Sequence, residues 1–329
     1  MAHRLLAGVA AAAAAACLTC APAADATLVY VKHPDAARPE VWAARDGGGH
    51  RHRVGTGMLP VVSPDGRRVA WQRFGRRDAV LLRRTRGGRT RRIVRAREIR
   101  DVRFSPDGAL LAVALRRRLA IYQVATRREV ASTRARVRGL AFSPDSSALA
   151  FGAARHGDAS DLWVLTIAAG TRTRITRDGR SLDPVWGPDG LVFDRLRRRR
   201  GDAPAFQLWA VRPDGSGARR ITHMRIPRLL SGLVPLDLSA DGSRLLAEFE
   251  GQDTSVAFAV NPATGRARSL SRLLESGFVG AALSSDGSTV LGMTGGPDPS
   301  ARHSVATVPF RGGRAHVLVR NAAYPDWTR

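Results

Sequence analysis

The chain has 329 residues, of which 44% are apolar and 25% are charged, and its formal net charge is +25. This length allows one large domain or two small ones, and the apolar fraction excludes a disordered tail. Glycine shows no three-residue period, which excludes a collagen-like chain.

Residues 1–26 are predicted to be a signal peptide. A short basic start precedes an apolar, alanine-rich run over 5–19, and the small residues that follow fit cleavage after Ala23 or Ala26. Both cysteines of the chain lie in this segment, so the exported chain would have none. Cys17 lacks the usual leucine three positions earlier, which argues against a lipid anchor. We therefore expect export to a periplasm, a cell wall or the medium.

A four-residue turn signal recurs along the rest of the chain. Its copies read Ser-Pro-Asp-Gly or a close variant, and successive aspartates lie 42, 38, 44, 52, 45 and 40 residues apart. Proline presets the first central position, aspartate bonds to nearby backbone, and glycine takes the left-handed position. This spacing is typical of the four-stranded blades of a β-propeller. The aspartates assigned to structural turns are Asp65, Asp107, Asp145, Asp189, Asp241, Asp286 and Asp326.

Apolar, strand-like runs flank each turn and predict the blades. In the third blade the predicted strands are 99–105, 110–115, 119–125 and 129–135. The chain supplies three strands of a further blade from Thr27 onward, and its end, from Asn321, supplies the missing opening strand. We therefore predict one all-β domain over 27–329, a β-propeller of four-stranded antiparallel blades closed by the C-terminal strand. Seven blades are expected, and six blades with one irregular insertion are the alternative.

The strands beside the turns carry further motifs. These are the runs Ala148-Leu149-Ala150-Phe151 and Leu162-Trp163-Val164, and the arginine-rich fourth strands that end in Arg174-Ile175-Thr176 or Arg220-Ile221-Thr222. Together with the turns they resemble the WD-like repeats of TolB-type β-propellers, over essentially the whole chain after the signal peptide. The resemblance is specific for the repeat, and it implies an exported scaffold that binds a protein or an acidic envelope polymer.

Motifs of catalysis are absent from the sequence. It contains neither a Gly-x-Ser-x-Gly nucleophile elbow nor a Gly-x-x-x-x-Gly-Lys phosphate loop. The leading hypothesis is a non-catalytic scaffold without cofactor or metal. The alternative is an enzyme at the channel mouth, a lyase or hydrolase acting on an acidic saccharide or lactone. The histidines expected in loops near that mouth, as solvated residues or as metal ligands, are His33, His156, His223 and His303.

Arginine supplies almost all of the positive charge, since Lys32 is the single lysine. Codon bias and attraction to a polyanion both explain this composition, and the scarcity of interleaved aromatic residues argues against nucleic acid. The most concentrated run of arginines lies in a long loop of the fifth blade, beside an apolar connection. Either a partner surface or a solvated insertion is expected there. The predicted contact residues are Arg195, Arg197, Arg198, Arg199, Arg200, Met224, Arg225 and Arg228. We expect a monomer without a transmembrane segment after cleavage.

Overall fold

The fold is described from a computed structural model of the chain. The described residues are 26–154, 159–197, 205–226, 230–251, 255–271, 277–295 and 302–328. They contain 28 β-strands and no helix. Accordingly, no helix of the described chain has the length and apolar character needed to cross a membrane. The predicted signal peptide lies outside these residues except for Ala26.

The strands follow one another with short turns. The first eleven are β1 (Thr27–Lys32), β2 (Glu40–Arg45), β3 (His52–Thr56), β4 (Met58–Val62), β5 (Arg68–Arg73), β6 (Asp78–Arg84), β7 (Arg91–Ala96), β8 (Ile99–Phe104), β9 (Leu110–Leu115), β10 (Arg118–Gln123) and β11 (Glu129–Thr133). The next eight are β12 (Arg136–Phe142), β13 (Ala148–Ala154), β14 (Ser160–Thr166), β15 (Thr171–Arg174), β16 (Ser181–Gly187), β17 (Gly190–Arg197), β18 (Ala205–Val211) and β19 (Arg219–Arg220). The last nine are β20 (Leu230–Leu238), β21 (Leu245–Gly251), β22 (Ser255–Val260), β23 (Ala267–Ser269), β24 (Val279–Leu283), β25 (Thr289–Thr294), β26 (Ser304–Pro309), β27 (His316–Arg320) and β28 (Ala322–Trp327).

These strands form four-stranded antiparallel groups, which we number as units 1 to 7. Unit 1 pairs in the order β28-β1-β2-β3, and units 2, 3, 4 and 7 are the consecutive groups β4–β7, β8–β11, β12–β15 and β24–β27. Units 5 (β16–β19) and 6 (β20–β23) belong to one eight-stranded sheet, because a single parallel pair joins Phe206 to Gly232. The prediction of an all-β propeller of four-stranded blades is confirmed.

The opening strands of the units form a closed ring. Strands β28, β4, β8, β12, β16, β20 and β24 each contact the next one in this cycle, and β24 returns to β28. The ring closes through β28, which pairs antiparallel with β1, for example Leu28 with Trp327. The predicted closure by the C-terminal strand is therefore confirmed. The number of blades stays a prediction, since units 5 and 6 share one sheet.

The core lies between neighbouring units. Strand β10 buries four consecutive residues, Leu119 to Tyr122, because both of its faces are covered. Ala120 belongs to the same buried cluster as Val80 of unit 2, whereas Ile121 belongs to the cluster of Leu149 in unit 4. Alternate side chains of one strand thus pack against two different neighbours, and the middle strands are apolar on both faces.

Candidate functional site

Five of the predicted turn aspartates accept a hydrogen bond from the serine two residues earlier. The Oγ–Oδ1 distances are 2.5 to 2.6 Å for the pairs Ser63–Asp65, Ser105–Asp107, Ser143–Asp145, Ser239–Asp241 and Ser284–Asp286. Asp241 also accepts the Ser243 N–H, and the bonds from Ser239 and Ser243 lower the pKa of Asp241 to about 2. In unit 5 a glycine, Gly187, takes the place of the serine, and Asp189 lies in a tighter turn. Each of these carboxylates therefore stabilises the turn to which it belongs.

Asp326 lies in strand β28 and not in a turn, which corrects its sequence assignment. Its Oδ2 accepts the N–H of Val62 at 2.8 Å. Asp237 makes the same kind of contact from β20, where its Oδ2 accepts the Leu283 N–H at 2.7 Å. Each carboxylate therefore connects the innermost strand of one unit to that of the next. The Pro-Asp dipeptide suggested a turn, but pairing with β1 keeps the backbone extended.

The central channel contains a charged network built around Arg103 of β8. The Arg103 Nε lies 3.5 Å from Asp101 Oδ1 on the same strand. Asp101, together with Asp326 and Asp237 from other units of the ring, raises the pKa of Arg103. The Arg103 side chain remains 47% exposed, so the network lies in a space open to water.

A second group of carboxylates, here called the acidic cluster, consists of Asp183, Asp194, Glu248 and Glu250. A bulge in the β16–β17 pairing places Asp183 opposite Asp194. Asp194 is 1% exposed, and its Oδ1 has no hydrogen-bond partner among the described residues. Burial, and then repulsion by Asp183, raise the pKa of Asp194 well above its ordinary value. Burial thus disfavours the ionised form of Asp194.

The other members of the acidic cluster are shifted in the same direction. Burial raises the pKa of Asp183, although the nearby Arg138 opposes this effect. Burial and the Glu250 carboxylate raise the pKa of Glu248 to about 7. Partial burial, and then the Asp183 carboxylate, raise the pKa of Glu250. Carboxyl groups with raised pKa values are chemically suited to proton transfer or to binding a cation.

The predicted basic surface of the fifth blade differs from the expectation. Arg195 is engaged within the fold, because its Nε lies 2.5 Å from Asp178 Oδ2 and its guanidinium lies 4.3 Å from the centre of the Trp209 ring. Met224, predicted to be exposed, is half-buried and packs against the core between units 5 and 6. Arg197 and Arg225 are exposed. The other predicted contact residues, Arg198, Arg199, Arg200 and Arg228, lie outside the described residues.

The histidines predicted from the sequence lie in different environments. His33 and His223 are exposed in connections, whereas His303 is buried with its Nδ1 3.3 Å from the Thr294 carbonyl oxygen. His156 lies outside the described residues. Within the described part of the chain, no group of three or more His, Cys, Asp or Glu side chains is arranged to hold a metal ion.

A strongly positive surface also lies on unit 2, and its residues were not among the predicted contact residues. Between residues 83 and 97 the chain has eight arginines, and it has no acidic residue from 79 to 97. Because β7 is the outermost strand of its sheet, side chains on both of its faces reach solvent. We call the exposed members the arginine edge: Arg84, Arg86, Arg89, Arg91, Arg92, Arg95 and Arg97. The run itself was the available signal, but only the fold shows that it forms one outer edge.

Comparisons with known proteins support the fold more than the function. No family model matches the chain. A 131-residue part is 31% identical to an uncharacterised protein of Agrobacterium fabrum, and the match covers 37% of this chain and 43% of that protein. The chain thus matches less than half the length of this relative.

Solved structures of β-propellers are similar over most of the chain. The propeller domain of the trilobed protease from Pyrococcus furiosus has a TM-score of 0.67 at 11% identity, covering 90% of this chain and 92% of that one. Oligogalacturonate lyase from Vibrio parahaemolyticus has a TM-score of 0.61 at 14% identity, covering 89% and 84%. TolB from Acinetobacter baumannii has a TM-score of 0.54 at 15% identity, covering 92% and 83%. The chain is a β-propeller, similar in fold to TolB and to several enzymes.

Proposed function

We propose that this protein is an exported, non-catalytic β-propeller scaffold that binds an acidic polymer of the cell envelope through the arginine edge of unit 2. The observation that carries the proposal is the arginine edge itself, seven exposed arginines without an acidic residue from 79 to 97. Like charges held this close repel one another, and a polyanion relieves the repulsion as it releases its own counterions.

Two further features favour an acidic envelope polymer over nucleic acid. The stretch 79–97 contains no aromatic residue, so it offers no ring on which bases could stack. The N-terminal segment has the pattern of a signal peptide, and an exported protein meets envelope polymers before nucleic acid. The fold likeness to TolB is compatible with a scaffold role. We propose that the scaffold acts as a monomer.

The test is binding of the purified chain to immobilised polygalacturonate and to polyphosphate, at low and at moderate salt. The variant R91E/R92E/R95E reverses three charges on β7, where all three side chains are exposed. The matched control R127E/R128E/R134E reverses three exposed charges at the outer edge of unit 3. The circular dichroism spectrum of each variant establishes that it is folded.

We expect the β7 variant to lose about tenfold or more in affinity, and the control to lose about threefold or less, with binding weakened by salt. Equal losses in both variants would assign binding to overall charge and overturn the arginine edge as the site. Absence of binding to both polymers would overturn the proposed function. Capture of a discrete protein that persists in high salt would replace the polymer by a protein partner.

A second candidate function is catalysis at the channel mouth, and the acidic cluster favours it. Asp194 is buried beside Asp183, and burial and the Asp183 carboxylate raise the pKa of Asp194 well above its ordinary value, which is the direction that a general acid requires. Oligogalacturonate lyases are among the solved structures of similar fold, one of them in complex with manganese. Incubation with oligogalacturonate, with and without Mn²⁺, tests this candidate. Product formation that is lost in Asp194→Asn would replace the scaffold proposal by an enzyme.

A further inference from the structure

A groove lies between the outer part of unit 6 and the turn that joins β26 to β27 in unit 7. Its volume is about 540 Å³, within the range of small-molecule sites. Phe310 and two alanines supply its apolar surface, and Asn261, Arg266, Arg268 and Arg311 supply its polar groups. The groove therefore combines an aromatic ring with three guanidinium groups.

The three arginines of the groove have no acidic partner in the part of the chain that the structure describes. Arg266, Arg268 and Arg311 are exposed, and none of them forms an ion pair with a described carboxylate. The guanidinium groups of Arg266 and Arg311 also make no hydrogen bond to any described residue. Their N–H groups are therefore available to a carboxylate or a phosphate, which guanidinium binds through paired hydrogen bonds.

Arg268 is held in place at the junction of the two units. Its Nη2 donates to the Phe310 carbonyl oxygen at 2.9 Å. Gly312, with a φ of +80°, leaves room for this guanidinium, because a Cβ at that position would collide with Arg268 Nη1. A side chain positioned in this way loses little further freedom when a ligand binds, which reduces the entropic cost of binding.

Asn261 adds a hydrogen-bond donor to the groove. Its Oδ1 accepts the N–H groups of Ala263 and Thr264 at 3.0 and 2.9 Å, which fixes the orientation of the amide. The Nδ2 has no hydrogen-bond partner among the described residues and can donate to a ligand. The polar groups of the groove are thus donors, and they favour a ligand that is rich in acceptor oxygens.

Phe310 distinguishes this groove from the corresponding junction between units 5 and 6. There Arg219 of β19 donates to the Pro262 carbonyl oxygen at 3.3 Å, which is the same contact as that of Arg268 but without an aromatic ring. The contact from arginine to carbonyl is therefore a structural feature of both junctions. The ring of Phe310 is half-buried and lines the groove, where it can pack against apolar C–H groups of a ligand.

We infer that this groove binds an acidic sugar, a pyranose ring that carries a carboxylate or a phosphate. The arginines bind the acidic group, Asn261 donates to a sugar oxygen, and Phe310 packs against the C–H groups of the ring. The inference rests on the proposed function only in taking the acidic envelope polymer as the source of the sugar. The groove belongs to units 6 and 7 and is a different site from the arginine edge of unit 2.

The experiment titrates small probes into the purified chain and follows backbone amide signals by NMR. Galacturonate and galactose 6-phosphate are the acidic sugars, galactose has the ring without the charge, and acetate and inorganic phosphate have the charge without the ring. Gly312 reports on the groove, whereas Gly170, in the corresponding turn of unit 4, reports non-specific effects. We expect saturable shifts at Gly312 with a millimolar acidic sugar, and about tenfold weaker binding of the other probes. The tighter acidic sugar identifies a carboxylate or a phosphate source.

Matched variants separate the groove from general charge. Arg311→Glu reverses a lining charge, whereas Arg314→Glu reverses an exposed charge three residues later that does not line the groove. We expect R311E to weaken binding of the acidic sugar about tenfold or more and R314E about twofold. Phe310→Leu keeps an apolar side chain without the ring, and it should weaken binding of the acidic sugar about threefold without changing the binding of acetate.

A second pair of variants distinguishes ligand binding from a structural role. Arg268→Gln and Arg219→Gln remove equivalent contacts at neighbouring junctions. Both should lower Tm by a similar amount, but only R268Q should weaken binding of the acidic sugar. Equal weakening by both variants would assign the role of Arg268 to folding and overturn it as a ligand-binding residue.

The outcomes distinguish the groove from the polymer proposal. No saturable shift at Gly312, or equal effects of R311E and R314E, would overturn the groove whether or not polymers bind. Acetate or phosphate that binds as tightly as the acidic sugars, with no effect of F310L, would overturn the sugar as the ligand. Sugar binding that R311E weakens and R91E/R92E/R95E leaves unchanged would support the groove even if the chain binds no polymer, and the proposed function would then fail alone.

Discussion

Glu248→Gln should stabilise the protein in a pH-dependent manner. Burial and the Glu250 carboxylate raise the pKa of Glu248 from 4.5 to about 7 in the fold, so folding disfavours its ionised form. The penalty is absent below pH 4.5, grows as the pH rises, and is complete above pH 7. A pKa difference of about 2.5, at about 1.36 kcal/mol each, gives about 3 kcal/mol. Because the side chain is only half-buried, screening by water reduces this to about 1–3 kcal/mol.

Urea denaturation of the wild type and of E248Q at pH 4 and at pH 8 measures this effect. We expect nearly equal stabilities at pH 4 and a more stable variant at pH 8. Glu98→Gln is the control, because the Glu98 side chain is 42% exposed and its pairs with Arg100 and Arg116 lie at the surface, and its removal should change the free energy of unfolding by less than about 1 kcal/mol. An equal effect of E248Q at both pH values would refute the reasoning. A variant less stable at pH 8 would indicate that a cation pairs with Glu248.

Three further substitutions test the turns and the buried charges. Ser105→Ala removes the hydroxyl that accepts the Leu110 N–H at 2.9 Å. Urea denaturation should show that the free energy of unfolding falls by about 1–2 kcal/mol, and unchanged stability would contradict this role. Arg174→Met removes the charged partner that lies 2.6 Å from the fully buried Asp161 carboxylate and leaves it only the Gly179 N–H. This should cost about 3 kcal/mol, largely recovered in the double variant with Asp161→Asn; no recovery would contradict the pairing. Hydrogen bonds from a serine hydroxyl and a backbone N–H lower the pKa of Asp286 to about 2. Asp286→Asn should therefore lower Tm near neutral pH, and the difference should shrink as the pH falls towards 2. A difference in Tm that stays constant with pH would contradict this.

The fold could be predicted because its signals are local. Each Ser-Pro-Asp-Gly copy specifies a turn within four residues, and the flanking runs specify strands. In unit 3 the prediction of 110–115 matches β9 (Leu110–Leu115), and 99–105 exceeds β8 (Ile99–Phe104) by one residue. The pairing of β28 with β1 followed from a count of strands at the two ends of the chain. Among the turn aspartates, Asp326 was misplaced, since Pro-Asp also fits an extended strand.

The candidate sites could not be predicted in the same way, because they depend on register and side-chain direction. Asp194 faces Asp183 through a bulge of β16, Glu250 interacts with them from another unit, and Glu248 interacts with Glu250. Nothing in the spacing of these residues shows that they meet. Arg195 illustrates the opposite case: it stands in the most obvious basic run of the sequence, yet Asp178 and Trp209 engage it within the fold.

Position within a unit decides what a charged residue can do in this fold. Arg103 lies on an innermost strand, where carboxylates of three units surround it and raise its pKa. Arg91 and Arg92 lie on the outermost strand β7, where no further strand covers them and both side chains remain exposed. The inner arginine therefore stabilises the ring, whereas the outer ones are available to a ligand. The net charge of the chain is +25, and in our proposal the arginine edge is the part of this charge that an acidic polymer contacts.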